Sequence, residues 1–178
     1  MMTMLCPSCW GVDGPCLYCR GSRVAPDESL SAHFLFSEMV QSPYATRLRV
    51  RNDPSPEVVA NLRELCAGAL EPLRAAVGPL HVTSGYRSLE LNARVAGAST
   101  TSAHPEGNAA DLVPYRSSVK AAVLWLINSP LAYDQVIYEG TWVHVGWRKS
   151  GIMPPRRQAL MMFGGKYSAF DPADPRVR

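Results

Sequence analysis

The spacing of apolar positions predicts one long core helix in the first half of the chain. The helix begins at Ser55 and Pro56, because serine can cap a helix and proline suits its first turn. Apolar residues then recur every three or four positions and form one stripe. The stripe is made of Val58, Val59, Leu62, Leu65, Cys66, Ala69, Leu70 and Leu73. Pro72 predicts a kink or break, and Cys66 is interpreted as a buried hydrophobe rather than a reactive thiol.

Shorter β-rich segments dominate the second half. After residues 80–83, Gly85 allows a sharp exit from a strand, and Ser88 can cap a helix over residues 89–95. Arg87 is then held on the turn between the strand and that helix. A fixed guanidinium can bind a carboxylate through two parallel hydrogen bonds, although an ordinary surface ion pair is an equally good interpretation.

The end of the chain predicts a hairpin followed by a weak tail. Residues 135–138 and 141–147 have the composition of two antiparallel strands, and strand alternation puts Trp142, His144 and Gly146 on one face. Residues 158–163 are expected to add an edge strand. Prolines and charges beyond Gly164 and Gly165 predict a frayed end.

Two histidines and an aspartate form the candidate metal site. His104 and Asp111 lie seven residues apart with Gly107 between them, and His144 lies on the predicted strand. Two neutral imidazoles and one carboxylate suit zinc, and three protein ligands leave a fourth tetrahedral position open, as in catalytic sites. Each residue alone is more often an ordinary polar residue, so the prediction depends on their joint pattern. His33 and His81 have no such pattern around them.

The first 25 residues contain a second metal-binding pattern. Cys6, Cys9, Cys16 and Cys19 form two C-x-x-C pairs separated by six residues, which predicts a structural zinc knuckle with four thiolate ligands. Two disulfides or free thiols are the alternatives. Because no secretion signal precedes the cysteines, zinc is favoured. The domain prediction is a knuckle over residues 1–25 and a main domain over residues 26–178.

Composition adds modest constraints. A chain of 178 residues with 47% hydrophobic residues can bury one main core. The net charge of +3 could assist approach to an anionic polymer such as a bacterial wall or nucleic acid. The chain shows no apolar run of membrane-spanning length and no leader pattern, so we expect cytoplasmic synthesis and no membrane partner.

Three motifs together resemble the zinc D-Ala-D-Ala carboxypeptidase family of peptidoglycan peptidases, especially its compact phage and prophage members. The motifs are Ser84-Gly85-Tyr86-Arg87-Ser88, the block Ser102-x-His104-x-x-Gly107-x-Ala109-x-Asp111, and Trp142-Val143-His144-Val145. The resemblance covers about residues 34–147. It implies an α+β fold with a small antiparallel sheet flanked by helices, and hydrolysis of peptide bonds in cell-wall stem peptides.

The resemblance also implies roles for individual residues. His104, Asp111 and His144 would hold one catalytic zinc. Arg87 would hold the substrate or the developing oxyanion, with Ser102 and Tyr86 beside it as substrate-binding residues. Peptidoglycan is the expected partner, and the protein would reach the wall as part of a phage or after lysis.

The chain departs from the family pattern at one position. Many members carry a carboxylate three residues before the final histidine as the general base, but here that position is Thr141. Glu139 is the nearest acid that could serve, and Asp134 is the second candidate. If neither reaches the site, the fold could instead be a zinc-containing wall-binding or phage structural protein.

Other partners have less support in the sequence. Arg20 and Arg23 beside the cysteines could contact nucleic acid, but no repeated aromatic and basic pattern supports that class. The knuckle could also bind a protein partner.

Overall fold

The computed structural model describes residues 28–147 and 154–178. The predicted four-cysteine knuckle and the domain boundary after residue 25 therefore lie outside the described residues. In the described part of the chain, no helix is long and apolar enough to cross a membrane.

The helices are short and lie mostly before the sheet in sequence. They are α1 (Phe36–Val40), α2 (Pro43–Leu48), α3 (Pro56–Leu65), α4 (Glu71–Val77), α5 (Leu89–Arg94) and α6 (Val119–Asn128). A π-helical turn, Cys66–Leu70, joins α3 to α4, and a single 3₁₀ turn spans His104–Glu106.

The predicted serine caps are present. The side-chain oxygen of Ser55 accepts a hydrogen bond from the backbone N–H of Val58, and Ser88 accepts one from Leu91. Each bond satisfies an N–H group that the helix itself leaves without a partner. The Ser88 cap fixes the start of α5 directly after Arg87, as the sequence predicted.

The helix does not break at Pro72, where the sequence predicted a kink or a break. Pro72 lies in the first turn of α4, and the π-helical turn before it carries the chain on from α3. In this turn the backbone N–H of Glu71 bonds the carbonyl of Cys66, five residues back, which is the wider pattern of a π turn. Gly68 lies in the same turn, and a Cβ there would be 2.5 Å from the Trp147 ring. The small residue therefore lets the helix and the end of a strand pack closely.

Within the described residues, six strands form one sheet. They are β1 (Leu80–Ser84), β2 (Ala109–Pro114), β3 (Tyr133–Tyr138), β4 (Val143–Trp147), β5 (Gln158–Phe163) and β6 (Lys166–Ala169). Their order is β1-β2-β4-β3-β5-β6, and every neighbouring pair is antiparallel except β3 and β5. The predicted α+β class with a mainly antiparallel sheet and flanking helices is confirmed.

The two faces of the sheet have different roles. One face packs on the helices, because Leu112, Val143 and Tyr138 align across β2, β4 and β3 and belong to the core with residues of α3, α4 and α6. On the opposite face, Asp111 and His144 occupy the intervening positions. Strand alternation thus separates a hydrophobic face from a face that carries polar side chains. We call the second one the site face.

The prediction for the tail is wrong in two respects. β5 is not an edge strand, because it pairs with β3 on one side and with β6 on the other. The segment after Gly164 and Gly165 forms β6 instead of fraying. Both glycines have positive φ, 58° and 76°, which a tight hairpin turn requires and glycine adopts without strain.

Candidate metal centre

Asp111 and His144 meet because they are directly paired on adjacent strands. Asp111 on β2 lies opposite His144 on β4 in the antiparallel register, and both point to the site face. Side chains paired in this way project side by side. The distance from Asp111 Oδ1 to His144 Nδ1 is 2.8 Å.

His104 reaches the same point from the loop before β2. Its Nδ1 lies 2.6 Å from the backbone carbonyl oxygen of Gly85, which can only accept, so Nδ1 carries the proton. The other ring nitrogen, Nε2, lies 3.4 Å from Asp111 Oδ1. His104 is 1% exposed, and among the described residues its Nε2 has no hydrogen-bond partner. A buried nitrogen lone pair is therefore left aimed at the carboxylate.

Glycine and two hydrogen bonds fix the His104 loop. Gly107 has a φ of 72°, and a Cβ at this position would lie 2.6 Å from the carbonyl oxygen of Val58 on α3. The side-chain amide of Asn61 donates to the Glu106 carbonyl. The backbone N–H of Trp147 donates to the Asn108 carbonyl at 2.6 Å. The loop is thus attached to both a core helix and the end of β4.

His104, Asp111 and His144 together could hold one metal ion. Their ligand atoms all lie within 4.8 Å of one another. A tetrahedral ion with ligands at about 2.1 Å separates its ligand atoms by about 3.4 Å, so the spacing fits. The hydrogen bond to Gly85 is the kind of support that orients a histidine ligand.

The charge state of these groups suits a cation. Burial lowers the pKa of His104, which favours the neutral imidazole that binds metals, although the Asp111 charge opposes this effect. Burial alone would raise the pKa of Asp111, but the neighbouring His104 and His144 outweigh burial and hold its pKa well below the usual range. The site therefore presents one fixed negative charge beside two nitrogen ligands.

Arg87 lies beside this group on the turn after β1. Its Nη1 is 3.8 Å from Asp111 Oδ2, and its side chain is 16% exposed. Burial lowers its pKa, while the charges of Asp111 and Glu139 act in the opposite direction. Within the described ranges, its buried Nε has no hydrogen-bond partner. One donor of the guanidinium is thus left for another group.

Glu139 follows the last residue of β3. Its backbone N–H donates to the Trp142 carbonyl, which continues the β3–β4 ladder by one step, so alternation places Glu139 on the site face. Burial raises its pKa and the Asp111 charge raises it further, whereas His144 and Arg87 lower it. Glu139 therefore lies within electrostatic range of Asp111, His144 and Arg87.

Comparison with known proteins accounts for this arrangement. A family model described as Peptidase M15 matches residues 32–146, well over half of the chain. The chain belongs to the peptidase M15 family. The match includes all three candidate ligands, so the resemblance found in the sequence is confirmed at the level of the family. No curated protein matches the chain.

Membership of the M15 family makes the chain a peptidase, which is a hydrolase. Glu139 and Asp134, the two acids predicted as possible substitutes for the family's base, lie in different places. Asp134 is 7% exposed on β3, and its carboxylate accepts hydrogen bonds from the backbone and the guanidinium of Arg156. It lies where the β3–β4 register shifts, between Tyr133 and Gln135, at the opposite end of β3 from Glu139. Glu139 therefore lies near the candidate ligands, whereas the carboxylate of Asp134 is paired with Arg156.

The two predicted substrate-binding residues also differ in placement. Ser102 is half-buried on the loop before His104, and its hydroxyl accepts a long 3.4 Å hydrogen bond from the His104 backbone. Tyr86 is 8% exposed, and its hydroxyl donates to the carbonyl of Asp53. Ser102 thus borders the candidate metal centre. The Tyr86 ring belongs to the core and shows little surface to a ligand. Their substrate-binding roles stay predictions.

Proposed function

We propose that the chain is a zinc peptidase that hydrolyses a peptide bond in the stem peptides of peptidoglycan, as a D,D-carboxypeptidase or an endopeptidase. His104, Asp111 and His144 hold the ion. The observation that carries the proposal is the Nε2 atom of His104, which is buried, aimed at Asp111 and without a partner among the described residues. Such an orphaned acceptor is costly unless a ligand occupies it.

The donor set favours zinc among the common metals. Two imidazoles and a carboxylate are the nitrogen and oxygen ligands of catalytic zinc, whereas calcium and magnesium prefer oxygen alone. Zinc bound by three residues supplies a Lewis acid, which polarises the scissile carbonyl and makes water a stronger nucleophile at neutral pH.

Glu139 is proposed as the general base. Its carboxylate accepts a proton from the attacking water and delivers it to the nitrogen of the leaving amine as the carbon–nitrogen bond breaks. The pKa of Glu139 is raised, first by burial and then by the Asp111 charge. This supports the role, because a higher pKa makes the carboxylate a better acceptor of the water proton. Its half-buried position beside Arg87 and His144 supports it as well.

Arg87 is proposed to bind the substrate. Its guanidinium is mostly buried, fixed by the turn before α5, and retains an unpartnered Nε within the described part of the chain. A guanidinium held in this way can bind a carboxylate or stabilise the oxyanion that forms during attack. Ser102 is proposed to contact the same substrate from the adjoining loop.

A single variant tests the function and the metal together. His104→Ala should lose one zinc equivalent by metal analysis and should no longer release free amino groups from purified peptidoglycan. His81→Ala is the matched control, because His81 is an exposed histidine on β1 whose ring contacts Tyr115. Hydrolysis that persists in His104→Ala after the metal has gone would overturn the proposal. A chain that binds peptidoglycan and zinc but releases no amino groups would favour the wall-binding alternative.

We also propose a second, structural zinc in the N-terminal segment, held by Cys6, Cys9, Cys16 and Cys19. The spacing of the two C-x-x-C pairs supports it. The corresponding division is a knuckle over residues 1–25 and a peptidase domain over residues 26–178. The purified chain should contain two zinc equivalents, one lost in Cys6→Ser and the other in His104→Ala. A Cys6→Ser variant that keeps both equivalents would remove the knuckle from the proposal.

The proposed place of action is the bacterial cell wall, with peptidoglycan as the partner and the protein phage-associated or released by lysis. The mildly basic net charge of +3 supports approach to an anionic wall polymer. The knuckle would serve a protein partner rather than nucleic acid or a membrane. Sedimentation with intact walls, compared between the full chain and Cys6→Ser, would show whether the knuckle contributes to wall binding.

A further inference from the structure

The hairpin of β5 and β6 lies outside the residues matched by the family model, yet it extends the site face. In the sheet register, His144 on β4 aligns with Ile137 on β3, Leu160 on β5 and Ala169 on β6. Side chains at these positions project to the same side of the sheet as the candidate ligands. The surface beside the metal centre is therefore built partly by the C-terminal hairpin.

Tyr167 is the large side chain that β6 adds to this face. It lies two residues before Ala169 and pairs with Met162 on β5. One step beyond the Tyr138–Met161 pair, Met162 lies beside Glu139 in the parallel register. Tyr167 and Glu139 are thus separated by a single strand, which places their backbones about 10 Å apart.

Tyr167 is exposed despite its size, as Leu89 and Tyr115 also are among the described residues. The residue is 55% exposed, whereas Tyr133 and Tyr138 on the same sheet are 3% and 2% exposed. Partial burial raises the pKa of the Tyr167 phenol, and the charges of Glu139 and Asp111 raise it further. The phenol therefore lies within electrostatic range of these two carboxylates, and it keeps its proton as a hydrogen-bond donor at neutral pH.

Arg87 and Tyr167 lie on opposite sides of the candidate ligands. Arg87 follows β1 at one edge of the sheet, and Tyr167 is on β6 at the other. A substrate carboxylate held by Arg87 would leave the amino-side part of the peptide to run across β3 and β5 toward Tyr167. An extended peptide advances about 3.3 Å per residue, so about three residues on the amino side of the scissile bond span the roughly 10 Å from Glu139 to Tyr167.

We propose that Tyr167 is a substrate-contacting residue that binds the stem peptide on the amino side of the scissile bond. Its ring packs against a small side chain of the peptide, and its hydroxyl donates to a peptide carbonyl. The half-buried Leu160 and Met162 provide the apolar floor beneath an extended peptide with small residues such as alanine. The inference rests on the proposed peptidase function and adds a length requirement to it.

The test compares two substrates with the zinc-loaded full chain. One is the N-acetylated dipeptide D-Ala-D-Ala, and the other is a pentapeptide that adds three stem residues on the amino side. Tyr167→Ala should raise KM for the pentapeptide about tenfold while kcat, zinc content and KM for the dipeptide stay unchanged. Tyr167→Phe should show a smaller rise, because it loses only the hydroxyl. Tyr115→Ala is the matched control, since Tyr115 is 68% exposed and its ring contacts His81.

Two outcomes would overturn the role of Tyr167. One is a Tyr167→Ala variant that matches Tyr115→Ala on both peptides, and the other is an equal loss on both peptides or a loss of zinc. If the wild-type chain cleaves neither peptide nor peptidoglycan, the proposed function fails. Calorimetric binding of the pentapeptide then decides whether Tyr167 contacts the peptide. Weaker binding by Tyr167→Ala would support it, and equal binding would reject it.

Discussion

His104 donates from Nδ1 to the carbonyl oxygen of Gly85 over 2.6 Å, and this bond decides which ring nitrogen faces Asp111. Gly85 can lie there because it has no side chain. A Cβ would be 2.3 Å from the carbonyl oxygen of Met39, and that same oxygen accepts a hydrogen bond from the backbone N–H of Tyr86. Gly85 therefore positions a candidate metal-binding histidine through its backbone carbonyl.

Gly85→Ala should weaken zinc binding by about 10- to 100-fold, the usual range for loss of the group that orients a histidine ligand. The added methyl group must displace either the α1 backbone or the turn, and either movement shifts the His104 acceptor. Competition with a chelator of known affinity measures the change. Gly97→Ala is the control, because its Cβ would meet nothing within 4 Å although its φ is 77°. Equal zinc affinity in both variants would show that the Gly85 carbonyl does not orient the ligand.

Glu139→Gln should affect turnover, whereas Asp134→Asn should affect stability. Glu139→Gln should keep zinc and fold normally but slow turnover by about 100-fold or more, because it removes the proposed base. Asp134→Asn should change kcat little but destabilise the fold by about 1–3 kcal/mol. The reason is that Arg156 would lose its charged partner, the buried carboxylate of Asp134. Kinetics and urea unfolding of both variants measure the two effects. A fast Glu139→Gln variant would assign proton transfer to another group.

Strand alternation explains why the site could be predicted from sequence. Asp111 and His144 each lie within a short apolar strand, and alternation puts both on the face opposite the core residues. Glu139 has the same parity along β3 as Ile137, the partner of His144, whereas Asp134 lies at a register shift where alternation does not decide its face. Alternation thus accounts for Asp111 and His144, whereas His104 lies on the loop before β2 and was predicted from its joint pattern with them.

The parts that the sequence did not predict depend on long-range pairing. The parallel pairing of β5 with β3 joins residues that are more than twenty positions apart, and periodicity does not reveal such a partner. Tertiary packing, which periodicity does not reveal either, turns the ring of Tyr86 into the core and its hydroxyl to the Asp53 carbonyl. The Gly164-Gly165 pair between two β-rich segments was a hairpin signal that could have indicated β6 and hence Tyr167.

Arg87→Lys should separate charge from geometry at the substrate side of the site. Lysine keeps a positive charge near Asp111 but cannot offer a planar set of donors, so zinc content should hold while kcat/KM falls by about 10- to 100-fold. Steady-state kinetics with metal analysis measures both. Arg94→Lys is a suitable control, because Arg94 forms an exposed ion pair with Glu90 on α5. A normal kcat/KM in Arg87→Lys would limit this residue to a general electrostatic role.

Glu71 provides a prediction about pH and stability that is independent of the metal. Its carboxylate on α4 accepts hydrogen bonds from the Ser31 hydroxyl, the His33 backbone and the His33 ring. These bonds attach the segment before α1 to α4. Burial alone would raise the pKa of Glu71, but these hydrogen bonds outweigh burial and lower it below the ordinary value of 4.5. The unfolded chain therefore binds this proton more readily than the folded one.

The contribution of Glu71 to stability should thus be complete above pH 4.5 and should disappear as the pH falls through the lower pKa of the folded state. Glu71→Gln should lower the free energy of unfolding by about 1–2 kcal/mol at pH 7, and the difference from wild type should shrink toward zero in acid. Urea unfolding at a series of pH values measures this trend. Glu90→Gln, which removes an exposed pair, should cost no more than about 0.5 kcal/mol. A Glu71→Gln deficit that stays constant down to pH 3 would mean that side-chain packing, and not the ionised carboxylate, holds the segment.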